Sequence, residues 1–251
     1  MNYNRAEVIN LIVAILVWTF LGFALTANGE TFKPNNTTPI KIAIIDTGYA
    51  LGSVPNLKLC MDGHYNFETG QPKLGVSSKY PDHGIKVASI IADALKDVDY
   101  CIIFYQIQRP LGISIFDVAL AASMAASHNV VAVNISLSGI SHNITEFRAL
   151  YMLSNQAKLF LVAGNNNLDL KKNCIIFPAC YKIPLATVVG ALDGEPRAAY
   201  SNYNKGLITT WEQGSITWRG TKDAGTSYAA PRALSRYVLS FVSARHVAVR
   251  Q

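Results

Sequence analysis

The chain has 251 residues, half of them apolar, and a formal charge of +6. That is enough apolar material for one sizeable core, which excludes an intrinsically disordered chain. Lys and Arg are scattered along the chain without dense basic runs interleaved with aromatics, so the excess charge reads as a solvated surface and nucleic acid is not an expected partner.

Residues 8–25 form an uncharged apolar run behind a short polar head carrying Arg5 and Glu7. As a helix the run would be about 27 Å long at 1.5 Å per residue, close to the thickness of a bilayer's hydrocarbon layer. Residues 1–27 therefore read as a retained membrane anchor or a cleaved signal peptide. The length favours the anchor, and Ala24 and Ala27 offer cleavage points. Either way the remainder is expected outside the cytoplasm, tethered to the membrane or secreted. Residues 28–39, with Asn28, Gly29, Pro34, Asn35, Asn36 and Pro39, read as a linker. Residues 40–251 then form one domain, expected to work as a monomer.

Residues 40–45 are a nearly continuous apolar run of the kind found in strands buried on both faces of a parallel sheet. Further strands are predicted at 57–61, 100–106, 130–137, 159–163 and 186–191. Between them lie helical patterns. Val87, Ile90, Ile91, Ala94 and Leu95 place one apolar face on a helix that begins near His83. Ser114 is placed to cap a helix through Ile115, Val118, Ala119 and Ala122, and Thr145 to cap another through Phe147, Leu150 and Tyr151. A last helix is predicted over 226–242, with Pro231 tolerated because it falls in the early turns. Strands alternating with helices imply an α/β fold of three layers, a mostly parallel β-sheet flanked by helices and joined by right-handed crossovers, preceded by the N-terminal hydrophobic helix.

The cysteines Cys60, Cys101, Cys174 and Cys180 lack paired metal-ligand spacing, and no acidic cluster marks a calcium site, so neither metal nor other cofactor is expected. Two disulfides fit an exported domain, with Cys174 and Cys180 placed to close a local loop and Cys60 and Cys101 each in an apolar segment that reads as a strand of the same sheet; four buried thiols are the alternative.

In doubly wound sheets reactive groups collect at the carboxyl ends of strands, and four polar residues fall there or at the following helix starts. Asp46 ends the run Ile42-Ala43-Ile44-Ile45 and precedes Thr47-Gly48. His83 opens the segment His83-Gly84-Ile85-Lys86-Val87-Ala88, placing an imidazole at a helix start beside a glycine. Asn165 closes Val162-Ala163-Gly164-Asn165, and Ser227 stands in Gly225-Thr226-Ser227-Tyr228-Ala229-Ala230-Pro231. Each alone has an ordinary structural explanation; the four in one ordered series do not.

With these segments in the order Asp, His, Asn, Ser, residues 40 to 242 resemble the subtilisin-like serine proteases, the subtilases. Asn134-Ile135-Ser136-Leu137-Ser138-Gly139, Phe177-Pro178-Ala179 and Tyr200-Ser201-Asn202-Tyr203 match further landmarks of that family. The resemblance implies a serine endopeptidase acting on polypeptides. Ser227 would be the nucleophile, His83 its general base and then acid, and Asp46 the group that fixes the imidazole tautomer and stabilises the imidazolium. Asn165 and the Ser227 backbone N–H would stabilise the oxyanion. Substrate backbone would lie as an added strand along Ser136, Leu137, Ser138 and Gly139. Ala163, Gly164 and Ile176 would wall the primary pocket. Ile176 stands where many relatives have glycine, so the pocket is expected to be shallow and to favour small residues, unless its loop is rearranged and the side chain points into the core.

Several positions depart from the family pattern. Ser138 replaces a common glycine, Tyr228 stands where methionine is frequent, and the segment Arg109-Pro110-Leu111-Gly112 looks short for one side of the substrate groove. Residues 26–39 resemble a linker rather than the folding propeptide of secreted relatives, so folding is expected either to need none or to use one supplied separately. The main rival is a catalytically silent subtilase fold used for binding or scaffolding, against which the retention of all four groups argues. An aspartic protease built on Asp46-Thr47-Gly48 lacks a second such carboxylate motif, and no Gly-x-Ser-x-Gly esterase motif occurs.

Overall fold

The structure, a computed structural model, describes residues 38–49, 54–76, 82–109 and 112–248. The apolar run at 8–25 and the linker up to residue 37 lie outside these residues, as do 110 and 111. Seven strands form one parallel sheet in the order β2-β3-β1-β6-β7-β8-β9: β1 Ile40–Asp46, β2 Tyr65–Asn66, β3 Tyr100–Gln106, β6 Ala132–Ile135, β7 Lys158–Val162, β8 Ala186–Leu192 and β9 Thr210–Gln213. Two hairpins lie outside it, β4 Gln108–Arg109 with β5 Gly112–Ile113, and β10 Ser215–Trp218 with β11 Thr221–Ala224. The helices are α1 His83–Ala94, α2 Ile115–Ser127, α3 Ile144–Ser154 and α4 Thr226–Ala248.

The period of two along β1 divides the core. Ile40, Ile42 and Ile44 point into a cluster with α1 and α4, including Val87, Ile91, Leu234 and Val238. Ala43 and Ile45 point into a second cluster with α2 and α3, including Val118, Ala122, Leu150 and Leu153. Helices on both faces explain why the strands are apolar throughout, and each fully buried Ile or Leu contributes roughly 1.5–3 kcal/mol. The three-layer arrangement agrees with the sequence expectation.

Four local expectations change. Residues 57–61 are not a strand: Leu59 makes one isolated parallel bridge to Ile102, and β2 takes the edge beside β3. Leu59 and Met61 are exposed and Leu57 is only partly buried against the core, so this stretch has little apolar surface to bury, and the Cys60–Cys101 disulfide fastens it. The 130–137 strand shortens to β6; Val131 still bonds to Lys41 and Lys158 on the neighbouring strands, while past Ile135 the chain leaves the sheet and Gly139 pairs with Phe177 instead. The α3 cap is Asn143, whose side chain accepts from the N–H groups of Thr145 and Glu146. Ser114 sits at the start of α2 without a side-chain capping bond. The β10–β11 hairpin was not anticipated, since it is too small and too exposed to carry an apolar pattern.

Both anticipated disulfides are present, Cys60–Cys101 and Cys174–Cys180. Among the described residues no helix is long and apolar enough to cross a membrane, and no group of three or more His, Cys, Asp or Glu could hold a metal ion.

Candidate active site

The strand order reverses at β1: β3 lies on one side of it and β6 on the other, all three running parallel. Ligands of open α/β sheets bind outside the carboxyl ends of the strands at such a switch point. The carboxyl ends of β1, β6 and β7 lie side by side there, and they deliver Asp46, Ser136 and Asn165.

Asp46 is fully buried, and its Oδ1 accepts from the Thr47 N–H at 2.6 Å and faces His83 Nδ1 at 2.6 Å. Gly84 makes this approach feasible. A Cβ there would come within 2.6 Å of the Gly48 carbonyl oxygen and collide with the Phe104 ring, so only glycine lets the start of α1 reach the end of β1. Burial alone pushes the His83 imidazole toward a lower pKa, but the charge of Asp46 and its hydrogen bond outweigh this and hold it above the usual value. The imidazole keeps 27% of its side-chain surface exposed. Its ring lies 6.0 Å from that of Tyr228, the residue after Ser227.

Ser227 is the second residue of α4, at the positive end of the helix, and is 9% exposed. Its hydroxyl donates to the Ser136 carbonyl at 3.1 Å, while the Ser136 hydroxyl donates to the Ser227 carbonyl at 2.8 Å. Pro231 explains the second bond. Residue 231 would ordinarily donate to the carbonyl four positions earlier, proline has no N–H, and Ser136 supplies the missing donor. Buried Asn134 holds the Ser136 hydroxyl in turn, through Nδ2 at 2.8 Å.

Asn165 is exposed, and its Oδ1 accepts from both the Thr226 N–H at 2.8 Å and the Thr226 hydroxyl at 2.9 Å. With the amide oxygen so fixed, Nδ2 remains a donor beside the start of α4. Gly225 keeps that space clear, since a Cβ there would stand 3.2 Å from Nδ2. Gly164 takes a positive φ of 91°, and the loop after it hangs on buried Asn202, which donates to the Ala163 carbonyl and accepts from the N–H groups of Asn166 and Leu168.

One family pattern, described as "Subtilase family", matches residues 37–235 of this sequence. The chain belongs to the subtilase family. As a subtilase it is a serine-type peptidase, and its substrates are polypeptides. No curated protein sequence matches it closely enough to count as a relative. Among solved structures it is similar to a lanthipeptide protease, with a TM-score of 0.62 at 20% identity over 78% of this chain and 71% of that one. It is also similar to a cold-adapted subtilisin-like serine proteinase, with a TM-score of 0.61 at 22% identity over 81% of this chain and 76% of the other. A protease from Pseudoalteromonas arctica gives 0.62 at 17% identity over 79% and 76%. At these identities the likeness is one of fold.

The remaining sequence-predicted positions of this subtilase lie around the same rim. Ile176 is 3% exposed, with Cγ2 only 3.0 Å from where a Cβ of residue 164 would stand, so it packs directly against Gly164. Gly139 is less available than its place in the expected substrate strand implies: its N–H and C=O both pair with Phe177 at 2.8 Å. An added strand can therefore use the backbone of residues 136–138 but not that of Gly139. The short segment after Gln106 is the β4–β5 hairpin, which brings Ile113 toward Leu137 and Ser138 across a cavity.

Sequence reasoning passed over Asn134 and Thr226 as positioning residues, and it did not anticipate the pair of bonds on Asp223. That carboxylate accepts from Lys86 at 2.8 Å and from the Tyr228 hydroxyl at 2.6 Å. Partial burial alone would raise the Asp223 pKa, but these two donors outweigh it and hold the carboxyl below its usual range. Tyr228 is pushed well above the usual phenol by burial and by the Asp223 bond. Spacing in the sequence offers no signal for such contacts, because the partners sit on different elements.

Proposed function

We propose that this rim is an endopeptidase centre working through an acyl-enzyme, with Ser227 as nucleophile. The observation that carries the reading is the 2.6 Å contact between His83 Nδ1 and a fully buried Asp46, beside the residue that follows a serine held at a helix start. A carboxylate on Nδ1 favours the tautomer that leaves Nε2 free to accept a proton. Rotation about the Ser227 Cα–Cβ bond swings its hydroxyl from the Ser136 carbonyl toward that nitrogen. As Oγ attacks the substrate carbonyl carbon, its proton passes to Nε2. The new tetrahedral oxygen is then met by the Ser227 N–H and the Asn165 amide, which Thr226 already holds in orientation. Collapse expels the amine, which takes the proton from the imidazolium, and water repeats the sequence on the acyl-enzyme.

The backbone of residues 136–138 offers substrate an extended edge, and the packing of Ile176 against Gly164 supports a shallow primary pocket that favours small residues before the scissile bond. Two disulfides support an exported setting. A fluorophosphonate probe tests the central claim: it should label the wild-type chain and leave Ser227→Ala unlabelled. Labelling of neither overturns the reading in favour of a silent binding fold, and equal labelling of both overturns it by putting the nucleophile elsewhere. In a peptide panel varied at the residue before the cleaved bond, Ala should be preferred to Phe, and equal cleavage refutes the shallow pocket.

A further inference from the structure

Beyond Ser138 the rim opens into a cavity of about 220 Å³, walled by Ile113, Ile115, Val118, Leu137 and Phe177. Cofactor and drug-sized sites occupy roughly 300–1,000 Å³, so this one suits a single side chain. One ionisable residue is among those lining it, Glu146 in the first turn of α3. Glu146 is 5% exposed; its Oε2 accepts from the Tyr181 hydroxyl at 2.5 Å, and among the described residues Oε1 has no protein donor. Among the described residues no Lys or Arg lines the cavity.

An acid in an apolar cavity is costly when charged and unpaired, and is compensated when a cation enters with it. Burial raises the Glu146 pKa, and the Tyr181 bond lowers it in part. The walls suit the methylene stem of a long basic side chain, whose head would reach the carboxylate at the end. A carboxyl kept only to bond Tyr181 would have no need of a cavity in front of it.

We propose that Glu146 makes this cavity a subsite for a lysine or arginine of the polypeptide substrate, at the fourth residue before the scissile bond. The position rests on the reading of Ser227 as nucleophile. With the first residue beside the Ser136 carbonyl, residue-for-residue pairing sets the third against Ser138, and the fourth passes over the cavity mouth.

The test walks lysine, or its uncharged isostere norleucine, through the second to fifth acyl-side positions of fluorogenic peptides with alanine before the cleaved bond. The full-length wild-type protein should cleave the lysine peptide about tenfold faster in kcat/KM at the fourth position alone, the size expected of one charge-assisted contact. Glu146→Gln keeps an acceptor for Tyr181 and removes the charge. It should bring the ratio to about one while leaving the norleucine peptide within about threefold of wild type. Equal cleavage of the two peptides by active wild type overturns the proposal without any variant, as does a lysine preference that survives Glu146→Gln. If no peptide is turned over and Ser227 takes no probe, the endopeptidase reading fails separately. The same peptides binding Ser227→Ala, followed by fluorescence anisotropy, then decide the pocket: tighter lysine binding upholds it and equal binding overturns it.

Discussion

The rim above β1, β6 and β7 and the outer edge of the sheet at β2 and β3 are held by opposite means. At the rim, short polar side chains carry the order: Asn134 holds Ser136, Ser136 and Ser227 hold each other, Thr226 holds Asn165, and Asp46 meets His83. All of them stand on strand ends and helix starts supported by the sheet interior. At the edge, residues 57–61 have little apolar surface to bury, and a covalent bond from Cys60 to Cys101 fastens them to β3. Where the core already fixes the backbone, hydrogen bonds suffice to aim side chains. Where a segment has one neighbour and faces solvent, a link that restricts the unfolded chain takes over. The rim should therefore fail in activity before stability, and the edge in stability before activity.

The largest break in that contrast is Ser227→Ala. It should lower kcat on the order of 10⁶-fold, the size measured for the equivalent loss in another subtilase, with little change in melting temperature. At the edge, replacing Cys60 and Cys101 together by serine should remove about 4 kcal/mol of stability, from the loop of 41 residues that the bond closes. Unfolding in urea would show the loss, and turnover below the transition should stay near wild type. Loss of activity in step with fluorophosphonate labelling, at full stability, would mean the edge positions the centre after all.

Asn165→Ala should cut kcat about 10²- to 10³-fold with KM nearly unchanged, again a magnitude taken from a related enzyme. Thr226→Val sharpens this. It keeps the N–H on Asn165 and deletes one hydroxyl bond, so kcat should fall only about fivefold, the scale of one hydrogen bond, and a KM effect instead would point to substrate binding.

The smallest effect concerns pH. His83 is held above the usual imidazole pKa, and in the proposed mechanism the free base is the working form, so kcat/KM should rise with pH through a midpoint above 6.5. The stability contributed by the Asp46 contact runs the other way. It is complete below the unfolded pKa of about 6.5 and is lost as pH rises through the higher folded value. A profile with its acid limb below 6.5 would place the base elsewhere.

How much of this was legible in the sequence follows the same division. β1 was legible because burial on both faces leaves an unbroken apolar run, and α1 because its apolar residues keep a helical spacing. Asp46, His83, Asn165 and Ser227 stood out because each ends a strand or begins a helix within a recognisable segment. Residues 57–61 misled because leucine, cysteine and methionine suggest a strand, while the surfaces they present are largely exposed. Asn134 and Thr226 were illegible as positioning groups, since their roles depend on which chain ends the topology brings together. Glu146 passed for an ordinary acid in the first turn of a helix, and only the cavity in front of it gives it another meaning.

Proline at 231 reaches further than the bend it is tolerated for. By withholding its own donor from the Ser227 carbonyl, it makes a residue just past the end of β6 the surrogate, so that positions 95 apart in sequence, 136 and 231, become interdependent. A hydroxyl lost from 136 strands an acceptor in the interior, whereas an amide restored at 231 would set two donors competing for one oxygen and loosen the tie between the end of β6 and Ser227. Drift at one position is therefore constrained by the identity of the other, although neither residue takes part in bond making.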